Sequence, residues 1–423
     1  MLFIYSSLQL GGIETFIMRM AKARFLIGKK TKVLLLDKKI KNDHYLISET
    51  EKYADIFFLE DFYKYNFNKY LPIHLLLIKN IKFQELYFLF KDISQIHVTN
   101  SICGLFYKKI ADQLNLEIPL TIGIYHAKEF TWYIDKLPYF EKLNREFFRR
   151  ILSSKGVIFF NEMLPKIYSK YYNISFNDLN LFPLGVIADN KYNVDPILHK
   201  DKQIIKIVSV GRLVKFKTYN LYMLDIINKL KDKYKIEYHV YGTGPLDKEM
   251  MEKIRKYNLE NYVFLKGELP YSQFSKTLKE FDIFIGSGTS IVEASSLGLP
   301  SIIAIETNIE PLTYGYLSDI KGFTYHEDNL YDKVSVEHLL IDFFSYSSNK
   351  VTELKNLHIK WTKKFLMNEC VINFDKVVSM NDNFLKIDFK MTNRECYMYS
   401  LSFLAFELYH MIRGKKSSQT IYS

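Results

Sequence analysis

The chain has 423 residues, 48% hydrophobic and 25% charged, which is ordinary globular usage and long enough for two or three domains. Its net charge of +11 calls for an acidic partner: nucleic acid, an anionic membrane or a phosphate-rich substrate. No helix-turn-helix, RNA-recognition or zinc-finger pattern occurs, so no nucleic-acid partner is expected, and no run of about 18 uncharged apolar residues predicts a spanning helix.

In chain order, Met1 to Tyr5 runs toward Gly11-Gly12 without a basic leader or cleavage-like site, and reads as a first strand, not a signal peptide. Gly11 and Gly12, followed by Glu14, stand at that strand's carboxyl end, where paired glycines let backbone approach a ligand or simply make a tight turn. Further strands are predicted at 32–36, 55–59, 94–98, 120–124 and 156–160, giving a doubly wound domain. His126 follows the strand at 120–124, at the end where ligand-binding residues collect, although a lone histidine serves structure as readily. Between 139 and 152, Phe140, Leu143, Phe147 and Ile151 share one helical face flanked by Lys142, Arg145 and Arg149. That pattern fits a helix lying on anionic lipid, and also one packed on a core, which is the commoner use of such a face. The polar run 188–203 reads as a linker.

Strands at 204–210, 236–241, 262–265 and 281–285 then alternate with helices at about 220–230, 247–257 and 272–278. The alternation predicts a second parallel sheet covered on both faces, with ligand loops at the strands' carboxyl ends. The first strand ends in Gly211-Arg212-Leu213-Val214-Lys215-Phe216-Lys217, whose Arg212 and Lys217 can reach one diphosphate from two sides. The next two lead to Gly242-Thr243-Gly244-Pro245 and to Gly267. The last enters Gly286-Ser287-Gly288-Thr289-Ser290, a small-residue loop opening a helix that carries Glu293. Backbone N–H groups and a helix N-terminus there can receive a phosphate, and Glu293, a turn further on, suits sugar hydroxyls. The plainer reading is a strand-to-helix turn with Glu293 in solvent. No Asp-x-Asp triplet occurs, so no protein-held metal is expected, and Arg212, Lys217 and helix dipoles are left to neutralise a departing diphosphate. Cys103, Cys370 and Cys396 are odd in number and widely spaced, which fits reduced cytoplasmic thiols and offers no zinc site.

In order and spacing, GRLVKFK, YGTGP, FLKGELP and GTSIVEASSLGLP, spread over 204–304, resemble the donor-binding half of the GT-B glycosyltransferases of family 4. The resemblance implies an α/β fold of two Rossmann-like doubly wound parallel-sheet domains with the site in the cleft between them. The acceptor domain would be 1–187, the linker 188–203, the nucleotide-sugar donor domain 204–370, and 371–423 a helical tail packing back on the first domain. It further implies that Arg212 and Lys217 bind the donor diphosphate with the amides around Gly288, Thr289 and Ser290, that Gly267 borders the donor, and that Glu293 binds the ribose. His126 matches a family histidine near the donor sugar, and Gly11-Gly12 matches a Gly-Gly-x-Glu loop facing the cleft. Residues 181–186 resemble the family's Pro-x-Gly-Val turn. Many members carry another Glu eight residues before the ribose-binding one, on the donor sugar; here that position is Ile285.

The expected function is transfer of a sugar, without cofactor or metal, from a nucleotide diphosphate to a glycan or lipid-linked glycan in surface polysaccharide biosynthesis. The resemblance implies retention of configuration, and the setting is the cytoplasm or the inner face of the membrane. Two alternatives stay open. A nucleotide-sugar 2-epimerase of the same architecture would convert donor without acceptor, and a non-catalytic donor-binding subunit would bind donor and transfer nothing.

Overall fold

The computed structural model describes residues 1–9, 11–125, 129–131, 136–153, 155–176, 179–188, 204–379, 387 and 389–414. The linker expected at 188–203 therefore falls, beyond Ala188, outside the described residues. The chain divides into two compact units, Met1–Gly185 with Met367–Ser423, and Val186–Leu366.

The first unit is built on a seven-stranded sheet of β1 (Leu2–Tyr5), β2 (Lys32–Leu35), β3 (Asp55–Phe58), β4 (Ile96–Val98), β5 (Leu120–Ile124), β6 (Val157–Phe159) and β7 (Asn180–Leu181). The order is β3-β2-β1-β4-β5-β6-β7 and every pairing is parallel. A parallel sheet needs apolar residues on both faces of its central strands. β5 meets that demand, being buried at every position. The helix Met367–Ser379 also belongs to this unit: Phe374 packs against Phe16, His97, Phe160 and Phe182, and Asp375 pairs with Arg24 at 3.1 Å and Lys29 at 2.6 Å.

The helix Tyr139–Ser153 takes the core-packed one of its two readings and not the membrane-surface one. Phe140, Leu143, Phe147 and Ile151 are all buried, with Phe140 stacked on Phe403 at 4.6 Å and Phe147 edge-on to Phe389 at 5.3 Å. Arg145 turns inward as well, its Nε donating to Glu141 Oε1 at 2.8 Å. Asn144 donates to the other carboxylate oxygen at 3.0 Å and accepts from the Tyr399 hydroxyl at 3.0 Å. Burial raises the Glu141 carboxyl above its ordinary value, while Arg145 and Asn144 pull it back. Helical period shows that a face is apolar; it does not say what covers it. Here the cover is the helix Asn393–Ile412.

The second unit holds a five-stranded parallel sheet of β8 (Ile205–Val210), β9 (Ile236–Tyr241), β10 (Val263–Leu265), β11 (Ile283–Gly286) and β12 (Ser301–Ile303), ordered β10-β9-β8-β11-β12. Connectivity reverses between β8 and β11. In doubly wound sheets the crevice outside the carboxyl ends of such a strand pair is where ligands bind, so topology alone points to the loops after Val210 and Gly286.

Candidate active site

The loop after β8 is held by backbone. Gly211 N donates to Tyr241 O at 2.9 Å, Leu213 N to Thr243 O at 3.0 Å, and Leu246 N returns to Leu213 O at 3.1 Å, joining it to the loop after β9. Gly242, at φ +143°, stands so close that a Cβ there would overlap the Gly211 carbonyl oxygen. Lys217 folds back over this loop, its Nζ 2.8 Å from the point a Cβ on Gly211 would occupy. Arg212 is exposed and Lys217 half-buried.

The loop after β11 is set by Gly288, whose φ of 70° and ψ of −153° lie in a region essentially reserved for glycine. The helix Thr289–Ser296 begins immediately after. Two hydroxyls fix its start: Tyr325 donates to Gly288 O at 2.8 Å, and Ser290 Oγ donates to Val210 O at 3.0 Å, tying the helix to the end of β8. First-turn N–H groups have no partner within their own helix, so this end is suited to an anion beside the β8 loop. Ser290 spends its hydroxyl proton on the tie, which leaves its backbone N–H as the group it can offer a phosphate. Glu293 is half-buried one turn into the helix.

A carboxylate completes the group. Glu306, just past β12, accepts from Ser287 Oγ at 2.8 Å. Burial, the largest influence, holds the Lys217 ammonium below its ordinary value; Glu306 opposes that shift and Arg212 adds to it. Burial likewise drives the Tyr219 phenol well up, with the Glu306 charge adding and a hydrogen bond with Ser287 opposing. The strand edge thus gathers Arg212, Lys217, a helix N-terminus and one carboxylate that partly balances them. Two cations and a helix end are what a diphosphate needs. Sequence reasoning missed Tyr219, Tyr325 and Glu306, which belong to no local motif, and gave Ser287 of the glycine loop no partner. Glu306 alone left a signal, as the first charge after the buried run 301–305.

Gly267 follows β10, and its carbonyl accepts from Gly242 N at 2.7 Å, placing it in the same row of strand-end loops. Ile285 is fully buried within β11 and presents nothing to a ligand. In the first unit Gly11 is extended, with φ −172°, so its loop needs no special backbone freedom. The Glu14 carboxylate folds over it: Glu14 Oε2 lies 2.4 Å from the point a Cβ on Gly11 would occupy, and Glu14 Oε1 accepts from the Tyr5 hydroxyl at 2.9 Å. Gly12 opens the helix Gly12–Leu26. His126 lies outside the described residues. A different histidine, His97 on β4, is buried between Thr121 Oγ1 and the Tyr125 hydroxyl, each at 2.9 Å, and burial lowers its pKa to about 3.

Residues 191–310 match the family model described as Glycosyl transferases group 1. The chain carries a glycosyl transferases group 1 domain. That region holds Arg212, Lys217, Gly288, Glu293 and Glu306. Protein CapJ of Staphylococcus aureus is 33% identical over 106 residues, covering 23% of this chain and 27% of CapJ. The UDP-N-acetylglucosamine–peptide N-acetylglucosaminyltransferase GtfA subunit of Streptococcus pneumoniae is 22% identical over 232 residues, 52% of this chain and 43% of its own length. The chain thus spans less than half the length of these curated relatives. Anabaena HepE, solved in complex with UDP and glucose, aligns with a TM-score of 0.60 at 14% identity, over 90% of this chain and 99% of that one. The fold of the group 1 domain and its companion unit is that of two parallel-sheet α/β domains with GT-B glycosyltransferases as structural neighbours.

Proposed function

We propose that the chain is a glycosyltransferase that moves a sugar from a UDP-linked donor to a glycan or lipid-linked glycan acceptor in surface polysaccharide biosynthesis. The observation that carries this reading is the convergence of Arg212, Lys217 and the start of the Thr289–Ser296 helix on one strand edge inside the group 1 domain. In this reading the two cations and the N–H groups of Thr289 and Ser290 hold the diphosphate, Gly267 borders the nucleotide, and Glu293 accepts from the ribose hydroxyls. The bond between the anomeric carbon and the diphosphate oxygen breaks, the acceptor oxygen bonds that carbon, and the acceptor proton leaves to solvent or a base. Fixed positive charge at the departing oxygen is the main source of acceleration such a site can supply. His126 and the Gly11-Gly12 loop are assigned to the reaction by resemblance, as is retention of configuration. UDP is chosen because the GtfA subunit is named for UDP-N-acetylglucosamine and HepE is solved with UDP and glucose.

The test incubates the full chain with UDP-hexoses and UDP-N-acetylhexosamines, with and without a cell-envelope glycan extract and in the presence of EDTA, reading products by mass spectrometry. The reading expects acceptor-dependent release of UDP and a mass increase of one sugar on the acceptor. Conversion of donor without acceptor would make the chain an epimerase, and donor binding with no transfer would make it a binding subunit.

A further inference from the structure

We propose that the outer face of the helix Asn393–Ile412 docks this protein on an anionic lipid bilayer, with the helix lying in the interfacial plane. The helix is firmly mounted. A capping box of Thr392 and Glu395 starts it, and its inner face buries Cys396, Tyr399 and Ser400. Further along, Phe403 stacks on Phe140 and meets the His74 ring edge-on at 4.4 Å, and Phe406 packs on Phe140. Such a helix should turn a polar face to water. This one does not: Tyr397, Met398, Leu401, Leu408, Met411 and Ile412 are exposed, Met411 at 66% and Ile412 at 82%.

At 3.6 residues per turn, 397, 401, 408 and 412 fall on one stripe, bordered by 398 and 411, along a helix about 30 Å long. Soluble monomers rarely leave such a stripe open without a partner for it. The charges choose the partner. Among the described residues of this helix the carboxylates lie elsewhere: Glu395 is held by the cap, and Glu407 faces inward, 3.8 Å from His74. Exposed Arg394 and Arg413 stand at the two ends of the stripe, and Lys415 and Lys416 follow in sequence. An apolar strip with cations at its ends, on a chain of net charge +11, complements acyl chains bordered by anionic headgroups. Two copies laid antiparallel along the same strip would instead bring Arg394 of one against Arg413 of the other. No helix among the described residues is long and apolar enough to cross a membrane, so the contact is with the surface.

The proposal stands apart from the sugar chemistry and is tested without it. The full chain is floated with vesicles of phosphatidylcholine and phosphatidylglycerol, and with pure phosphatidylcholine, at low and high salt. The wild type should float with the anionic vesicles, less so at high salt. Leu401→Glu with Leu408→Glu, or Met411→Glu with Ile412→Glu, should cut the bound fraction roughly tenfold, with the melting curve unchanged because these side chains are exposed. Arg149→Glu with Arg150→Glu, on the helix Tyr139–Ser153, should float as the wild type does. A wild type that stays with the pellet, or Leu401 and Leu408 variants that float like it, would overturn the proposal. So would light scattering that shows a dimer broken by those variants, which would assign the strip to a second copy.

Discussion

Lys217 is the most informative position to perturb, because its charge is held between opposing influences. In the proposed complex, Lys217→Ala removes one charge-assisted contact to a phosphate in a partly dehydrated site, about 3–4 kcal/mol of transition-state stabilisation. At about 1.4 kcal/mol per factor of ten, kcat/KM should fall roughly a hundredfold to a thousandfold. Glu306 adds a second consequence. With Lys217 gone, that carboxylate faces the donor diphosphate with less compensation, so adding Glu306→Gln to Lys217→Ala should restore about 1–2 kcal/mol, a non-additivity that a double-mutant cycle measures. Stability should move the other way. Burial lowers the Lys217 pKa, so the charged ammonium opposes folding below its folded-state pKa, and that cost is relieved as pH rises through it. Lys217→Ala should therefore leave the melting temperature unchanged or slightly raised. Initial rates over a range of UDP-sugar concentrations, alongside thermal melts, decide the matter. Wild-type kcat/KM in Lys217→Ala, or a loss that tracks a collapse in melting temperature, would refute the reasoning.

Three further outcomes follow from the geometry. Glu293→Gln should weaken UDP binding roughly tenfold in calorimetry with circular dichroism unchanged, since a carboxylate accepting two ribose hydroxyls acts mainly on donor affinity. Gly242→Ala should destabilise the protein by about 2–4 kcal/mol, read as a lower denaturation midpoint, because it adds a Cβ at positive φ against the Gly211 carbonyl. His97 makes stability depend on acid: its folded pKa of about 3 lies below the ordinary 6.5, so the unfolded chain takes the proton first and stability is lost as pH falls through that window. Between pH 7 and 5 its share is about 2 kcal/mol, and His97→Gln should flatten the fall in urea midpoint over that range.

The second unit was readable because its strands are β-branched runs closed by glycine. The runs at 236–241 and, in the first unit, 120–124 form β9 and β5 at the expected bounds. β7 and β12, of two and three residues, are too short to show a period. At the site, Arg212, Lys217 and the Gly288 loop were visible because they follow strand ends directly, whereas Glu306 and Tyr325 meet that loop only through the fold. The helix Tyr139–Ser153 was read correctly as amphipathic, but its partner was not legible. That partner, Asn393–Ile412, carries apolar residues on its buried and its exposed faces alike, so no 3.6-residue bias marked it.

The central claim is that the strand edge formed by the loops after β8 and β11 binds the diphosphate of a nucleotide donor. Calorimetric titration of UDP, with GDP and ADP beside it, into the wild type and an Arg212→Ala, Lys217→Ala double variant tests it most directly. The account predicts that UDP binds and that at about a hundred times its Kd it adds near 2.7 kcal/mol of stability. In the double variant affinity should drop roughly a hundredfold or more with the melting temperature of the free protein preserved. No binding of any nucleoside diphosphate to the wild type, or equal affinity in the folded double variant, would contradict it.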